Sequence, residues 1–208
     1  PRSEFDLDAD PPTVRIVNVF NDPSHAGDTT QGETGEQTGT ELQGDVQVVN
    51  TFSALADGVR VMHKVTSDGE DEVRELWASI PVYLRAFAPM KGGDQPQSGL
   101  EDTTIEYLHE QAWKAMPEDT DNDGVPEMIS TRALRLGRDF RLGDGPQYVY
   151  ILFEGQQRMR LATQIYTDPY QTKTRVRTVH IDLHGNPGAV RKMPDRKVVY
   201  TISTIAPE

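Results

Sequence analysis

The segment that decides the fold is ELWASIPVYLRAF, residues 75–87. Its apolar positions alternate with the others, so that two faces emerge: Leu76, Ala78, Ile80, Val82 and Leu84 on one, and Trp77, Ser79, Pro81 and Tyr83 on the other. Successive side chains of a strand leave opposite faces, whereas a helix needs apolar residues every three or four positions. The segment therefore predicts a β-strand with one buried face.

Segments on both sides repeat this period of two. We predict strands at Val14–Phe20, 46–52, 59–65, Met128–Leu136, Tyr148–Phe153, Arg158–Tyr166, Thr174–Leu183 and Lys197–Ile205. Turn sequences such as Ala56-Asp57-Gly58 and Glu154-Gly155 separate them. About ten strands without alternating helices predict an all-β fold, an antiparallel β-sandwich or jelly roll.

Residues 103–116 leave two structures open. Thr103-x-x-Glu106 has the form of a helical capping box, whereas the β-favouring residues Thr104, Ile105 and Tyr107 favour a strand hairpin. We expect one domain over residues 13–208, preceded by an extended lead-in at 1–12. A long polar loop at 21–44 and a calcium loop at 117–127 interrupt it.

The calcium loop is DTDNDGVPE, residues 119–127. Calcium prefers six to eight oxygen ligands, and acidic side chains at loop positions 1, 3 and 5 converge when a glycine turns the chain after them. Gly124 supplies that turn. The predicted Ca²⁺ ligands are the carboxylates of Asp119, Asp121, Asp123 and Glu127 and the carbonyl of Val125.

Two resemblances follow from these patterns. DTDNDGVPE resembles the calcium repeats of thrombospondin type 3 and similar bacterial extracellular modules, although Ser130 stands where an EF-hand has its bidentate glutamate. The strand cadence of Phe52–Val65, Glu75–Leu84 and Tyr148–Leu161 resembles the β-sandwich domains attached to bacterial polysaccharide lyases and related glycan-degrading enzymes. The resemblances imply an accessory module more than an active site.

The composition of the sequence also indicates in which compartment the protein is expected. The chain has no cysteine and no apolar run long enough to cross a bilayer, so we expect no membrane insertion. It starts at proline, so we expect a processed or excised piece of a larger protein. Calcium loops of this kind fill best where calcium is millimolar, which favours an extracellular, secreted protein.

Charge is distributed unevenly along the chain. Residues 131–208 hold 13 basic and 7 acidic residues, a net +6, whereas residues 1–130 hold 8 basic and 26 acidic residues, a net −18. We therefore expect an anionic ligand, such as a uronate-containing or sulfated polysaccharide, to meet the second half. Nucleic acid is not expected, because the acidic half would repel a long polyphosphate.

Arginines and aromatic residues are the candidate ligand-binding residues. If their strands pair, four arginines would form one anion-binding patch: Arg158, Arg160, Arg175 and Arg177. Three aromatic residues would form a sugar-stacking surface, or alternatively belong to the core: Trp77, Tyr83 and Trp113.

The histidines are the remaining candidates for metal binding or acid–base catalysis. His180, Asp182 and His184 alternate on one strand and are metal-ligand types, but they spread over about 13 Å at 3.3 Å per residue. A strand with one wet face explains them as well. His63 falls among valines and reads either as a hydrogen-bonded core residue or as a base.

The preferred function is a non-catalytic, calcium-stabilised extracellular module that binds anionic glycans or contacts other domains or subunits of a larger assembly. One alternative is a sandwich-type polysaccharide lyase that uses His63, Tyr83 and Arg158. Another is a subunit of an extracellular surface layer or filament.

Overall fold

The structure is a computed structural model that describes residues 2–20, 45–70, 72–82, 103–117, 126–138, 147–167 and 173–207. Residues 21–44, most of the calcium loop and the end of the segment at 75–87 lie outside this set. The described residues form strands and no helix. The strands are β1 (Arg2–Asp6), β2 (Thr13–Phe20), β3 (Val46–Leu55), β4 (Gly58–Ser67), β5 (Glu72–Val73), β6 (Trp77–Val82), β7 (Thr103–His109), β8 (Ala112–Ala115), β9 (Ile129–Arg138), β10 (Gln147–Thr167), β11 (Lys173–Asp182), β12 (Arg191–Lys192) and β13 (Arg196–Ser203).

Eleven of these strands form one large antiparallel sheet. Its hydrogen-bonded order is β1-β2-β3-β4-β13-β10-β9-β7-β8, with β11 pairing with β10, and β6 with β11. Strands β5 and β12 form a small second sheet. The predicted all-β, antiparallel fold class is confirmed.

The chain divides into two compact units. The first comprises Pro1–Leu76 and Leu183–Val199, and the second comprises Trp77–Asp182 and Tyr200–Glu208. Strand β13 begins in the first unit and ends in the second.

The first unit is built around the hairpin of β3 and β4. The two strands pair from Val46 with Ser67 down to Leu55 with Gly58, which confirms the predicted turn at residues 56–58. Its buried apolar residues are Val46, Val49, Val61, Val65, Leu183, Met193, Val198 and Val199. The lead-in also contributes, because Arg2–Asp6 pairs with β2 as strand β1.

The second unit buries one face of β6, as its sequence predicts. Ala78, Ile80 and Val82 are buried, whereas Ser79 and Pro81 are exposed. Other buried residues of this unit are Ile105, Met116, Ala133, Leu134, Leu136, Tyr150, Ile151, Phe153, Met159, Leu161, Val179, Ile181 and Tyr200. Each fully buried large apolar side chain contributes roughly 1.5–3 kcal/mol relative to an exposed one.

The predicted turn at Glu154-Gly155 is wrong. Strand β10 continues through it for 21 residues. Strand β9 pairs with β10 on both sides of an irregularity between Leu152 and Gln157. The local turn sequence is absorbed as a bulge, because β10 keeps β9 along one edge while its other edge pairs first with β13 and then with β11.

The hairpin alternative is the one that forms at 103–116. Strands β7 and β8 pair antiparallel through a two-residue turn at Glu110 and Gln111, both with positive φ (48° and 67°). The helix suggested by the capping box would forfeit the pairing of β7 with β9, in which Thr103 lies opposite Arg138. Long-range pairing therefore decides this segment.

Candidate functional site

Strands β10, β11 and β6 bring cationic, acidic and aromatic side chains to one side of the sheet. The antiparallel register places Arg160 opposite His180. In the next pair of strands, Asp182 lies opposite Trp77. Because residues two apart on a strand share a face, these groups lie together. We call the set the arginine cluster: Arg158, Arg160, His180, Asp182 and Trp77.

Trp77 connects the two outer strands of the arginine cluster. The Cζ atom of Arg160 lies 4.3 Å from the centroid of the Trp77 ring. The His180 ring meets the same indole edge-on, with centroids 6.0 Å apart and an interplanar angle of 80°. A guanidinium over an indole face contributes roughly 0.5–2 kcal/mol, depending on exposure. Trp77 therefore orders the guanidinium of Arg160.

Asp182 is the buried member of the arginine cluster. Its side chain is 1% exposed, and its Oδ2 atom lies 3.6 Å from Nη1 of Arg158, whose side chain is 50% exposed. A buried carboxylate costs several kcal/mol unless a cation accompanies it, so Asp182 and Arg158 stabilise each other. The guanidinium of Arg158 is therefore held by Asp182, while half of the Arg158 side-chain surface is exposed to solvent. With a neutral histidine, the arginine cluster carries a net charge of +1.

The predicted patch of four arginines is described only in part. Strands β10 and β11 pair as that prediction required, and Arg158 and Arg160 share the face of His180. Arg177 lies opposite Thr163, so the register assigns it to the opposite face, and the side chain of Arg175 lies outside the described residues. A one-residue difference in register reverses this assignment, and no local pattern in the sequence specifies that register.

A second cluster surrounds Arg135 on β9. The guanidinium forms two hydrogen bonds to Glu106, from Nε to Oε2 at 2.6 Å and from Nη2 to Oε1 at 3.0 Å. Its Cζ atom lies 4.5 Å from the ring centroid of Tyr148 and 4.8 Å from that of Trp113. The hydrogen bonds to Glu106 raise the pKa of Arg135, and burial acts in the opposite direction. The positive charge of Arg135 is therefore balanced by Glu106, and its guanidinium packs against two aromatic rings.

Sequence reasoning missed this cluster. Glu106 and Arg135 meet because β7 and β9 pair in the register that places them opposite each other. The two residues are 29 positions apart, so no local pattern links them. Of this cluster only Trp113 was predicted as a binding residue, and the alternation of Tyr148 and Tyr150 on β10 was a further local signal of an aromatic surface.

The two tryptophans predicted to share a sugar-stacking surface lie in separate clusters. Trp77 is on β6 and Trp113 is on β8, with β11, β10, β9 and β7 between them in the hydrogen-bonded order. Each packs against a different arginine, Arg160 or Arg135. Tyr83, the third member of that prediction, lies outside the described residues.

His63 pairs with an amide. Its Nδ1 atom lies 2.6 Å from Oδ1 of Asn50, so Nδ1–H donates to that oxygen, and burial lowers the pKa of His63 below its usual 6.5. His63 belongs to the first unit and Arg158 to the second, and Tyr83 lies outside the described residues. The histidine found beside Arg160 is instead His180.

His184 has a structural role. Strand β11 ends before it, and its side chain is fully buried. Nε2 donates to the Val73 carbonyl at 3.1 Å, and Nδ1 accepts from the Asn186 amide at 3.3 Å. Among the described residues no group of three or more His, Asp or Glu is placed to hold a metal ion.

Four of the five predicted calcium ligands, Asp119, Asp121, Asp123 and Val125, lie outside the described residues, while Glu127 is exposed just before β9. The ends of this connection are informative. Strands β8 and β9 both run antiparallel to β7 and flank it, so they run parallel to each other. Parallel strands need a crossover of a dozen or more residues. The predicted calcium loop is that crossover.

The position of the crossover fixes how far it must reach. Ala115 pairs with Glu106, whereas β9 starts at Ile129, five residues before Leu134, which pairs with Tyr107. The chain between the strands therefore returns by roughly 20 Å along the strand direction, at about 3.3 Å per residue. A fully extended chain of this length would reach about twice that distance.

No helix of the described residues is long and apolar enough to cross a membrane. No protein-family model, curated protein or solved structure matches the chain. The resemblances to thrombospondin type 3 repeats and to lyase-associated sandwich domains stay predictions.

Proposed function

We propose that this chain is a non-catalytic, calcium-stabilised β module of a larger extracellular protein, and that it binds anionic glycans through the arginine cluster. One observation carries the proposal. Arg158 and Arg160 leave the same face of β10, beside Trp77 and His180, and the buried carboxylate of Asp182 lies 3.6 Å from Arg158.

The chemistry of the cluster suits a carboxylate or sulfate ester. Guanidinium groups bind such oxyanions bidentately, whereas neutral sugars offer no matching charge. Arg160 is already ordered against Trp77, so binding costs less side-chain entropy than it would for a mobile arginine. Arg158 has half of its side chain in solvent while Asp182 holds it from below.

The test is a panel of uronate-containing, sulfated and neutral polysaccharides, measured with calcium present. We expect preferential binding of the anionic members, with a Kd that rises with salt because the Debye length is about 8 Å at physiological ionic strength. Arg158→Gln with Arg160→Gln should weaken binding by tenfold or more, since charge-assisted hydrogen bonds contribute about 1.5–3 kcal/mol each.

A matched control removes the same charge elsewhere. Lys114 on β8 and Lys64 on β4 are exposed residues outside the arginine cluster. Changing both to Gln lowers the net charge by two without touching the arginine cluster, and binding should be nearly unchanged. Equal losses in the two double variants would reduce the effect to general charge, and preferential binding of neutral glycans would exclude the proposal.

Calcium has a stabilising role in this proposal. The predicted ligands within Asp119–Glu127 would bind one ion and so cross-link the connection between β8 and β9. The ion would act on the second unit's fold and not on the ligand. Removing calcium should therefore lower stability more than it changes the affinity of folded protein for glycan.

The lyase alternative keeps one favourable observation. His180 lies opposite Arg160, so a base and a carboxylate-binding group are adjacent within the arginine cluster. Elimination from a uronate produces a conjugated double bond with near-ultraviolet absorbance. Appearance of that absorbance on incubation with polyuronates, and its loss in His180→Gln, would replace the binding-module proposal.

One observation also favours the surface-layer or filament alternative. Strand β1 ends the order of the large sheet, and Phe5 and Leu7, on and after it, are each 69% exposed. An edge strand with exposed apolar residues is suited to pairing with another chain. Concentration-dependent assembly that Phe5→Lys abolishes would favour this function.

A further inference from the structure

The turn that follows β11 carries a second concentration of positive charge. Residues 183–199 hold four basic residues and one acidic residue, and all of them belong to the first unit. They are Arg191, Lys192, Arg196, Lys197 and Asp195. The proposed glycan site uses none of these five residues.

The turn itself is firmly held. Gly185 has φ of +85°, a backbone conformation that favours glycine. On its N-terminal side, the buried His184 binds the Val73 carbonyl and the Asn186 amide. On its C-terminal side, the Gly188 amide donates to the Arg74 carbonyl at 2.9 Å. Gly185 is therefore an exposed residue on a fixed support.

Two guanidinium groups converge on this glycine. Nη1 of Arg191 and Nη2 of Arg196 each lie 3.7 Å from the point that a Cβ atom of Gly185 would occupy. The two nitrogens are thus separated by at most twice that distance. Arg191 is half-buried on β12, and Arg196 is exposed at the start of β13.

Two acidic residues of the first unit have other partners. Glu70 pairs with Lys192 at 2.6 Å, and Asp195 accepts a hydrogen bond from the Ser67 amide at 3.4 Å. Across the part of the chain that the structure describes, no carboxylate forms an ion pair with Arg191 or Arg196. Two converging guanidiniums repel each other, and an anion between them removes that repulsion.

We infer that Gly185, Arg191 and Arg196 form a binding site for a tetrahedral oxyanion, a sulfate ester or a phosphate. A tetrahedral oxyanion can accept charge-assisted hydrogen bonds from two guanidiniums at once, and the upper limit on the separation of these two nitrogens is compatible with such a bridge. Gly185 has no side-chain atom at the point that lies within van der Waals distance of both nitrogens. This site shares no residue with the arginine cluster.

The test is an amide-resolved NMR titration of the full chain with sodium sulfate, and separately with sodium phosphate, against sodium chloride at matched ionic strength. We expect a saturable shift of the Gly185 amide with sulfate or phosphate and none with chloride. The anion that binds more tightly shows whether the site prefers a sulfate or a phosphate group. A linear, non-saturating response to both anions would overturn the inference.

Variants separate a built site from general charge. Arg191→Gln with Arg196→Gln should weaken binding tenfold or more, whereas Lys192→Gln with Lys197→Gln removes the same charge and should weaken it less than threefold. Arg196→Gln alone guards against misfolding, because Arg196 is exposed at a strand end, and should still lose severalfold. Equal losses in the two double variants would overturn the site.

The glycan proposal is tested separately. Arg158→Gln with Arg160→Gln should leave the Gly185 response unchanged, since the two sites share no residue. Loss of the Gly185 response in that variant would mean that the two arginine pairs act as one surface, and would overturn the assignment of an independent site.

Discussion

Gly137 provides the sharpest test of the packing around Arg135. It is buried on β9, opposite Tyr148 on one side and Thr104 on the other. A Cβ atom there would lie 2.6 Å from Cε1 of Tyr148 and 2.7 Å from Oγ1 of Thr104. Carbon atoms pack at about 3.5–4.0 Å, so the tyrosine ring would have to retreat by about 1 Å.

That retreat has a cost because the ring has a second contact. Tyr148 packs against the Arg135 guanidinium at 4.5 Å, so moving the ring weakens a cation–π contact. Overpacking of this kind costs about 1–3 kcal/mol, and replacing glycine by alanine returns about 0.4–1 kcal/mol through the unfolded chain. We expect Gly137→Ala to lower the free energy of unfolding by about 1–2 kcal/mol.

Gly155 is the matched control. It is exposed in the bulge of β10, and a Cβ atom there would meet nothing within 4 Å. Gly155→Ala should be neutral or stabilising by up to about 1 kcal/mol. Urea unfolding followed by tryptophan fluorescence compares the two variants, and for a chain of this size the difference corresponds to a shift in Tm of a few degrees. If Gly137→Ala is as stable as Gly155→Ala, the packing described here is wrong.

Three further predictions concern titration and metal. Burial lowers the pKa of His63, so protonation favours the unfolded chain and stability is lost as pH falls below about 6.5; His63→Gln should flatten that decline in urea midpoints measured between about pH 7 and 5. Burial raises the pKa of Tyr200 to about 12, so stability should fall above about pH 10, where an unfolded tyrosine ionises; ultraviolet titration should show a late phenolate that Tyr200→Phe removes, and its persistence in that variant would contradict the assignment. Chelating calcium should lower Tm by several degrees without unfolding the chain, since an ion at 100 times its Kd adds about 2.7 kcal/mol. Asp121→Ala should abolish the calcium response while Asp57→Ala in an exposed turn retains it; unchanged calcium affinity in Asp121→Ala would refute the loop.

The local period of the sequence was enough to identify most strands and the buried face of β6. Ala78, Ile80 and Val82 are buried because alternation on a pleated strand sends them to one side whatever partner the strand acquires. The turn between Leu55 and Gly58 is likewise local, since a short connection fixes the register of its own hairpin.

The candidate site was predicted less well. Arg158 and Arg160 were correctly expected to share a face, because two positions on one strand settle that question. The residues that surround these two arginines could not be predicted from the sequence. His180 and Trp77 join them through the pairing of three strands that are distant in sequence, and the same register assigns Arg177 to the other face.

The chain's own pattern therefore determined an all-β, antiparallel fold and most of its strands, because side-chain alternation is a property of each strand alone. Tertiary structure decided what depends on pairing. It turned the local turn signal at Glu154-Gly155 into a bulge, since β9, β13 and β11 together hold β10 extended. It also decided which charges meet, because a shift of register by one residue sends every side chain of a strand to the other face.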